Sequence, residues 1–128
     1  MFSADQFIAH ALGDYILQSD WMAREKYRNT VAALCHVVFY TLPFLFLTQN
    51  PWTLVVIAGT HFVIDRWRLA RHLAWIKNRA WPGSRPWAEC ADTGYPPDMP
   101  AYASMWLLII VDNIMHIIIN GLAITYIG

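Results

Sequence analysis

Charge is scarce in this chain. Nine lysines and arginines and nine aspartates and glutamates make up only 14% of its residues, and they cancel to a net charge of zero. The chain therefore has no overall field that would attract a polyanion, and it has no block of basic residues that would form a binding patch. We expect no nucleic-acid partner.

Cysteine is also rare. Cys35 lies inside an apolar run and Cys90 in a polar, proline-rich stretch, so the two predict neither a disulfide framework nor a cysteine metal knuckle. A cleavable signal peptide is not indicated either, because Asp5 and Gln6 interrupt the N-terminal apolar stretch. We expect residues 1–18 to stay in the mature protein.

Sequence motifs for phosphate-binding loops, dinucleotide binding and nucleophilic catalysis are missing. The sequence contains no P-loop, no Rossmann fingerprint and no nucleophile elbow, and Ser3 and Ser104 have no neighbouring base. Covalent catalysis through serine or cysteine therefore has little support.

Hydrophobic residues are abundant, at 57% of the chain. Residues 30–48, 52–70 and 104–126 form apolar stretches near the ~20 residues that cross a bilayer, and residues 2–18 form a shorter, more polar one. The sequence predicts an all-α fold, a four-helix transmembrane bundle that makes up a single integral membrane domain over residues 1–128. Residues 71–81 predict a short interfacial helix or an extension of the third span, within a polar loop over residues 71–103.

The basic residues predict the orientation of the spans. Arg24, Lys26 and Arg28 lie in the first connection, and most of the others follow the third span. The positive-inside rule then places loops 19–29 and 71–103 in the cytoplasm and both termini outside the inner (cytoplasmic) membrane. Small-residue faces, such as the one with Ala9 and Gly13, permit close helix packing within one chain or in a homo-oligomer.

Seven ionisable residues fall at similar depths in the four predicted spans: His10, Asp14, His36, His61, Asp65, Asp112 and His116. Three histidine–aspartate pairs are four residues apart, so each pair lies on one helix face. The histidine comes first in spans one and three, and the aspartate comes first in span four, which runs in the opposite direction. Every carboxylate of these pairs is therefore closer to the cytoplasm than its histidine.

These groups predict a metal site. An unpaired carboxylate in hydrocarbon costs several kcal/mol, so it needs a partner. We expect no lysine among these residues and Arg66 as the only nearby arginine, which leaves one or two divalent ions of Zn, Mn or Fe, with all seven residues as ligands. Gln18, Asn113 and Asn120 are candidates for orienting the ligands, although ordinary hydrogen bonds between helices are the favoured explanation for each. A structural polar network and a proton relay remain alternatives for the whole set.

The segments "HALGDYILQSDWMAREK", "HFVIDRWR" and "DNIMHIIING" resemble an uncharacterised family, a domain of unknown function among small bacterial and phage-encoded integral membrane proteins. The stretch "TGYPPDMPAYASMWLLIIVDN" is similar to its phage-encoded branch. The resemblance covers nearly the whole chain and implies no particular activity. The matching positions are His10, Asp14, Gln18, Asp20, Trp21, Met22, His36, His61, Asp65, Asp112, Asn113 and His116.

A more distant resemblance is to inner-membrane proteins described as metal-dependent hydrolases. We interpret the chain as a membrane-embedded hydrolase of a phosphoester or lipid-linked substrate, in which Asp14 or Asp65 takes a proton from water that the metal activates. One alternative is a transporter of protons or divalent ions, although the outer halves of the spans offer few polar groups. Another is a non-catalytic phage-type membrane effector with a structural metal.

Overall fold

The computed structural model describes residues 2–128, and all regular secondary structure in this range is helical. The helices in chain order are α1 (Ala4–Ala11), α2 (Asp20–Glu25), α3 (Thr30–Thr41), α4 (Pro51–Arg66), α5 (Leu69–Asn78), α6 (Trp87–Cys90) and α7 (Ala101–Tyr126). A π-helical segment, Leu12–Ile16, continues α1, and a 3-10 segment, Leu42–Phe46, continues α3. The predicted all-α class is confirmed, and a short helix, α5, lies where residues 71–81 predicted one.

The chain divides into two compact units. The first takes the chain up to Trp67 together with His116–Gly128, and the second takes Arg68–Met115. Helix α7 contributes residues to both units. The single membrane domain predicted for residues 1–128 stays a prediction.

One described helix is long and apolar enough to cross a membrane by itself. This is α7, with 26 residues, whereas the apolar stretch Thr30–Phe46 is shorter. Length and composition of a single helix are weak evidence for a membrane protein, because a buried core helix passes the same test. The four predicted spans therefore stay a proposal.

Helix α4 has clear start and stop signals. The Asn50 side chain accepts a hydrogen bond from the backbone N–H of Trp52, and Pro51 occupies the first turn, where its missing N–H costs nothing. The helix ends at Arg66, short of residue 70, the predicted end of the third span. Arg68 has a φ of 51°, a left-handed conformation that ends the helix and separates α5 from it.

The core of the first unit combines small and large apolar side chains. Tyr40 and Phe44 lie at the centre with Ile57, and Ala9 and Ala123 complete the buried cluster. All five side chains are almost completely shielded from solvent. Tyr40 is the member that also contacts the histidines of the first unit.

Gly13 allows the segment after α1 to touch α3. A Cβ atom at Gly13 would lie 2.8 Å from the backbone oxygen of Tyr40, closer than real contacts allow. We expect Gly13→Ala to lower the free energy of unfolding by about 1–3 kcal/mol, because one of the two segments must move. Thermal unfolding of the purified protein measures the effect.

The matched control for this substitution is Gly59→Ala in α4. A Cβ atom at Gly59 meets nothing within 4 Å. Alanine there is expected to stabilise the helix by about 0.5–1 kcal/mol, since glycine is the poorer helix former. Equal unfolding midpoints for the two variants would contradict the close contact at Gly13.

Candidate metal centre

Six of the seven predicted site residues lie in the first unit, and all six are buried. The seventh, Asp112, belongs to the second unit, where it is half-buried on α7 one turn before His116. The α1 helix and its π-helical continuation, α3, α4 and α7 each contribute to the buried group. Its members are His10, Asp14, His36, His61, Asp65 and His116.

Four of these side chains turn one atom each toward a common point. The Nε2 atoms of His36 and His61 are 2.9 Å apart, and each is 3.2 Å from Asp65 Oδ2. Asp14 Oδ1 lies 3.2 Å from His36 Nε2 and 3.6 Å from His61 Nε2. One ligand atom from each of the four residues therefore lies within 4.8 Å of the other three.

This spacing matches the coordination shell of a small divalent ion. Nitrogen and oxygen ligands at about 2.0–2.2 Å from zinc lie roughly 3.3–3.6 Å apart at the corners of a tetrahedron. Imidazole and carboxylate together suit zinc, manganese and iron. The cluster of Asp14, His36, His61 and Asp65 is thus a buried set of groups that can hold a metal ion.

Lys26 lies beside the same atoms. Its Nζ atom is 2.6 Å from Asp65 Oδ2, 3.4 Å from His36 Nε2 and 4.0 Å from Asp14 Oδ1. The expectation that no lysine lies among these groups is therefore wrong. The sequence placed Lys26 in the predicted cytoplasmic loop 19–29, yet it follows α2 directly and its long side chain reaches His36 on α3 and Asp65 near the end of α4.

The other two histidines lie behind the carboxylates. His116 Nε2 is 3.2 Å from Asp65 Oδ1, the oxygen that points away from the shared centre. His10 Nε2 is 3.7 Å from Asp14 Oδ2, in the corresponding place. Each aspartate thus has one oxygen toward the centre and one toward a histidine.

Tyr40 connects two parts of this polar group and was missed by sequence reasoning. Its hydroxyl lies 2.8 Å from His10 Nδ1 and accepts a hydrogen bond of 2.6 Å from Asn120 Nδ2. Its ring stacks on His61, with centroids 3.5 Å apart. The spacing contained the signal, because Tyr40 follows His36 by one helical turn and shares its face.

The three residues that were predicted to orient the metal ligands have different hydrogen-bond partners. Gln18 Nε2 donates to the backbone oxygen of Asp14, at 3.0 Å, and Asn113 Nδ2 donates to a backbone oxygen of its own helix. Asn120 reaches the cluster through the hydroxyl of Tyr40. Hydrogen bonds between or within helices thus explain Gln18 and Asn113. Asn120, in contrast, lies behind the metal ligands, where it supports the Tyr40 hydroxyl.

Removal of the Tyr40 hydroxyl is expected to destabilise the protein. Tyr40→Phe leaves His10 Nδ1 and Asn120 Nδ2 without this partner, which typically costs about 1–3 kcal/mol in a buried site. The substitution Tyr102→Phe removes an exposed hydroxyl and is the control. Chemical unfolding checks both, and a Tyr40→Phe variant as stable as the control would refute the role of this hydroxyl.

The cysteines take no part in this site. Both are free cysteines, Cys35 half-buried and Cys90 buried. Burial, with a contribution from Glu89, raises the pKa of the Cys90 thiol. Cys90 therefore lacks the lowered pKa of a catalytic nucleophile.

Comparison with known proteins gives the family of the chain and no activity. The profile of the family DUF3307, described as a protein of unknown function, matches residues 2–127. No curated protein and no solved structure matches. The chain belongs to the DUF3307 family, which confirms the predicted resemblance to an uncharacterised family over nearly the whole chain.

Proposed function

We propose that this member of the DUF3307 family is a membrane-embedded metalloprotein that hydrolyses a phosphoester, either water-soluble or lipid-linked. The observation that carries the proposal is the spacing of four ligand atoms, from Asp14, His36, His61 and Asp65, around one point. An uncompensated buried charge is costly, and a divalent ion at this point would compensate both carboxylates, which share the single nearby ammonium group of Lys26. The metal ion is zinc, manganese or iron.

The distribution of polar and apolar side chains supports the membrane location. Val31 and Val38 on α3 are 61% and 60% exposed, and Phe46 is 92% exposed. Buried positions meanwhile hold histidines, aspartates and amides. An exterior richer in large apolar groups than the interior is expected where lipid covers the outer surface. We propose that residues 2–18, 30–48, 52–70 and 104–126 cross the membrane, with the metal site toward the cytoplasm.

Hydrogen bonds behind the ligands agree with metal binding through Nε2 of His61. If Nε2 of His61 is a ligand, its Nδ1 carries the proton and donates to Nδ1 of His116, 3.1 Å away. Nε2 of His116 then carries its proton and donates to Asp65 Oδ1. These two hydrogen bonds keep the rings of His61 and His116 neutral. They also fix the orientation of two ligands, His61 and Asp65, as supporting residues do in metal sites. Asp112, one turn from His116, stays a further candidate ligand.

The carboxylates of Asp14 and Asp65 differ in how closely their second oxygen is held by a histidine, and therefore in how readily that oxygen can accept a proton. Asp65 Oδ1 is within hydrogen-bonding distance of His116, whereas Asp14 Oδ2 is 3.7 Å from His10 and less engaged. We therefore assign the general base to Asp14 rather than Asp65. A divalent ion held by these residues would lower the pKa of a water molecule and would polarise a phosphoryl oxygen. The water oxygen forms the new bond to phosphorus, its proton passes through Asp14 to the leaving oxygen, and the ester bond breaks.

A structural metal site is the second candidate, and one observation favours it. Four protein ligands fill a tetrahedral shell, which is typical of structural zinc, whereas catalytic zinc keeps one position open. A non-catalytic phage-type membrane effector would use such a site to hold its helices together. Transport of ions is less favoured, because the core next to Tyr40 continues with the apolar side chains of Phe44, Ile57 and Ala123.

Hydrolysis assays with metal-loaded and chelator-treated protein test the proposed function. We expect p-nitrophenyl phosphate, or phosphatidic acid in mixed micelles, to be hydrolysed by loaded protein, with activity lost on chelation and regained on adding the metal back. Stoichiometric metal without turnover of either substrate, together with unfolding on chelation, would favour the structural site. Protein that holds no metal would refute both candidates.

A further inference from the structure

The second unit contains a cavity of about 300 Å³. Its walls are formed by α5, by the turn over residues 81–85, by α6 and by the loop over residues 94–99, and Leu107 of α7 also lines it. Ligand pockets in proteins begin at about this size, and they combine apolar walls with a few well-placed polar groups. The proposed metal site contributes none of the residues that line this cavity.

Tyr95 is a buried wall residue of this cavity whose hydroxyl has no hydrogen-bond partner in the described part of the chain. The residue is only 4% exposed. A buried hydroxyl without a partner costs free energy, because it has given up its hydrogen bonds to water. A molecule in the cavity that offers an acceptor oxygen would supply the missing bond.

A lysine places a positive charge at the same wall. The Lys77 ammonium lies 5.0 Å from the centroid of the Tyr95 ring and 3.5 Å from Asn78 Oδ1, and it forms no ion pair with the residues that the structure describes. The guanidinium of Arg85, in contrast, lies 3.1 Å from a carboxylate oxygen of Glu89. Lys77 therefore supplies the charge by which this cavity can attract an anion.

One face of α5 is apolar and exposed. Leu73 and Ile76, three residues apart on this helix, are 41% and 58% exposed, and Trp81, which lines the cavity, is 69% exposed. An exposed apolar face beside basic residues is typical of helices that lie among lipid headgroups. A phospholipid has the two chemistries that this region offers a ligand, because it carries an anionic phosphate next to apolar groups.

We propose that the cavity of the second unit binds a phosphate ester anion, with Lys77 and Tyr95 donating hydrogen bonds to its oxygens. Hydrogen bonds to an anionic oxygen are stronger than those to a neutral one. Ser84, which also lines the cavity, offers a further hydroxyl. The exposed apolar face of α5 favours the headgroup of an anionic phospholipid over a soluble phosphate ester as the source. This binding is separate from the proposed hydrolysis and does not require the metal.

Titration of the purified full chain in an uncharged detergent tests this site. The probes are dihexanoyl phosphatidylglycerol, dihexanoylglycerol, which lacks the phosphate, and glycerol phosphate, which lacks the acyl chains. We expect phosphatidylglycerol to bind, Lys77→Met and Lys77→Gln to weaken this binding at least ~10-fold, and Lys77→Arg to keep it within about 3-fold. The control Arg24→Met removes an exposed cation of the first unit and is expected to leave the affinity unchanged.

The variant Tyr95→Phe separates a binding role from a structural one. Since the hydroxyl has no partner within residues 2–128, its removal is expected to leave the unfolding midpoint at or above that of the wild type. The affinity for phosphatidylglycerol is expected to fall about 3–10-fold, because one hydrogen bond to the anion is lost. The matched control is Tyr102→Phe, which removes an exposed hydroxyl.

Four results would overturn the proposal. Unchanged affinity in folded Lys77→Met and Lys77→Gln protein would do so, because a phosphate bound at the metal centre does not need Lys77. Failure of both variants to fold would do so as well, since Lys77 would then support the structure. The other two are a wild-type chain that binds neither phosphate probe and one that binds dihexanoylglycerol as tightly as phosphatidylglycerol. Glycerol phosphate that binds as tightly as phosphatidylglycerol would support the phosphate site and reject the lipid as its source.

Discussion

Substitution of His61 by alanine is expected to abolish metal binding. His61 Nε2 lies within 3.6 Å of the three other converging atoms, so it occupies one corner of the coordination shell. Alanine supplies no ligand atom, so three of the four proposed ligands remain. The metal content is therefore expected to fall from about one ion per chain to below roughly 0.1 after dialysis. Elemental analysis of the purified protein measures this content directly.

The same substitution is expected to lower stability, because His61 also stacks on Tyr40 and contacts His116. Its loss opens a cavity and removes the metal ion, so that Lys26 is the nearby cation that remains for two buried aspartates, which together costs about 3–5 kcal/mol. The matched control is His72→Ala, which removes a histidine of the second unit that stacks on Trp87. A His61→Ala variant with the metal content and stability of the control would contradict the assignment of the ligands.

Substitution of Asp14 by asparagine is expected to lower the rate of hydrolysis much more than it lowers the affinity for the metal. Asparagine keeps an oxygen near the position of Asp14 Oδ1 but cannot accept a proton. We expect the rate of phosphoester hydrolysis to fall by about 10²–10⁴-fold, the usual contribution of a general base. The metal affinity is expected to weaken because a charge is lost, and excess metal in the assay compensates for that change.

Asp20→Asn provides the control, because Asp20 is an exposed aspartate of α2 that pairs with Arg24. It is expected to change neither metal content nor turnover, since an exposed ion pair contributes little. An Asp14→Asn variant that turns over substrate at the wild-type rate when fully loaded would exclude Asp14 as the base. Asp65 would then be the remaining carboxylate for that role.

The sequence contains most of the buried cluster because helical spacing is a local property. His10 with Asp14 and His61 with Asp65 follow one another by four residues, which places each pair on one face whatever the neighbouring helices do. Ionisable side chains are costly in an apolar environment, so the helix faces that carry these pairs are predicted to lie against one another. The structure brings these four residues together with His36 and His116.

Other features depend on tertiary contacts that no local pattern specifies. The position of Lys26 results from a turn held by Arg66, whose partners are 39 and 38 residues away in the sequence. Two histidines, His36 and His61, face the four converging atoms, whereas His10 and His116 lie behind the carboxylates. Which histidine takes which place depends on the rotamer of each side chain, and helical spacing does not specify it. The early end of α4 depends on one left-handed residue, Arg68, for which the sequence has no glycine to serve as a signal.

X-ray absorption of the wild-type chain, purified with cobalt or zinc, tests the proposed metal centre most directly. The geometry predicts about one ion per chain, with roughly two imidazole nitrogens and two carboxylate oxygens at about 2.0–2.2 Å. This signal should disappear in His61→Ala and persist in His72→Ala. An ion content below roughly 0.1 per chain, or a shell without imidazole, would contradict a metal centre built from Asp14, His36, His61 and Asp65.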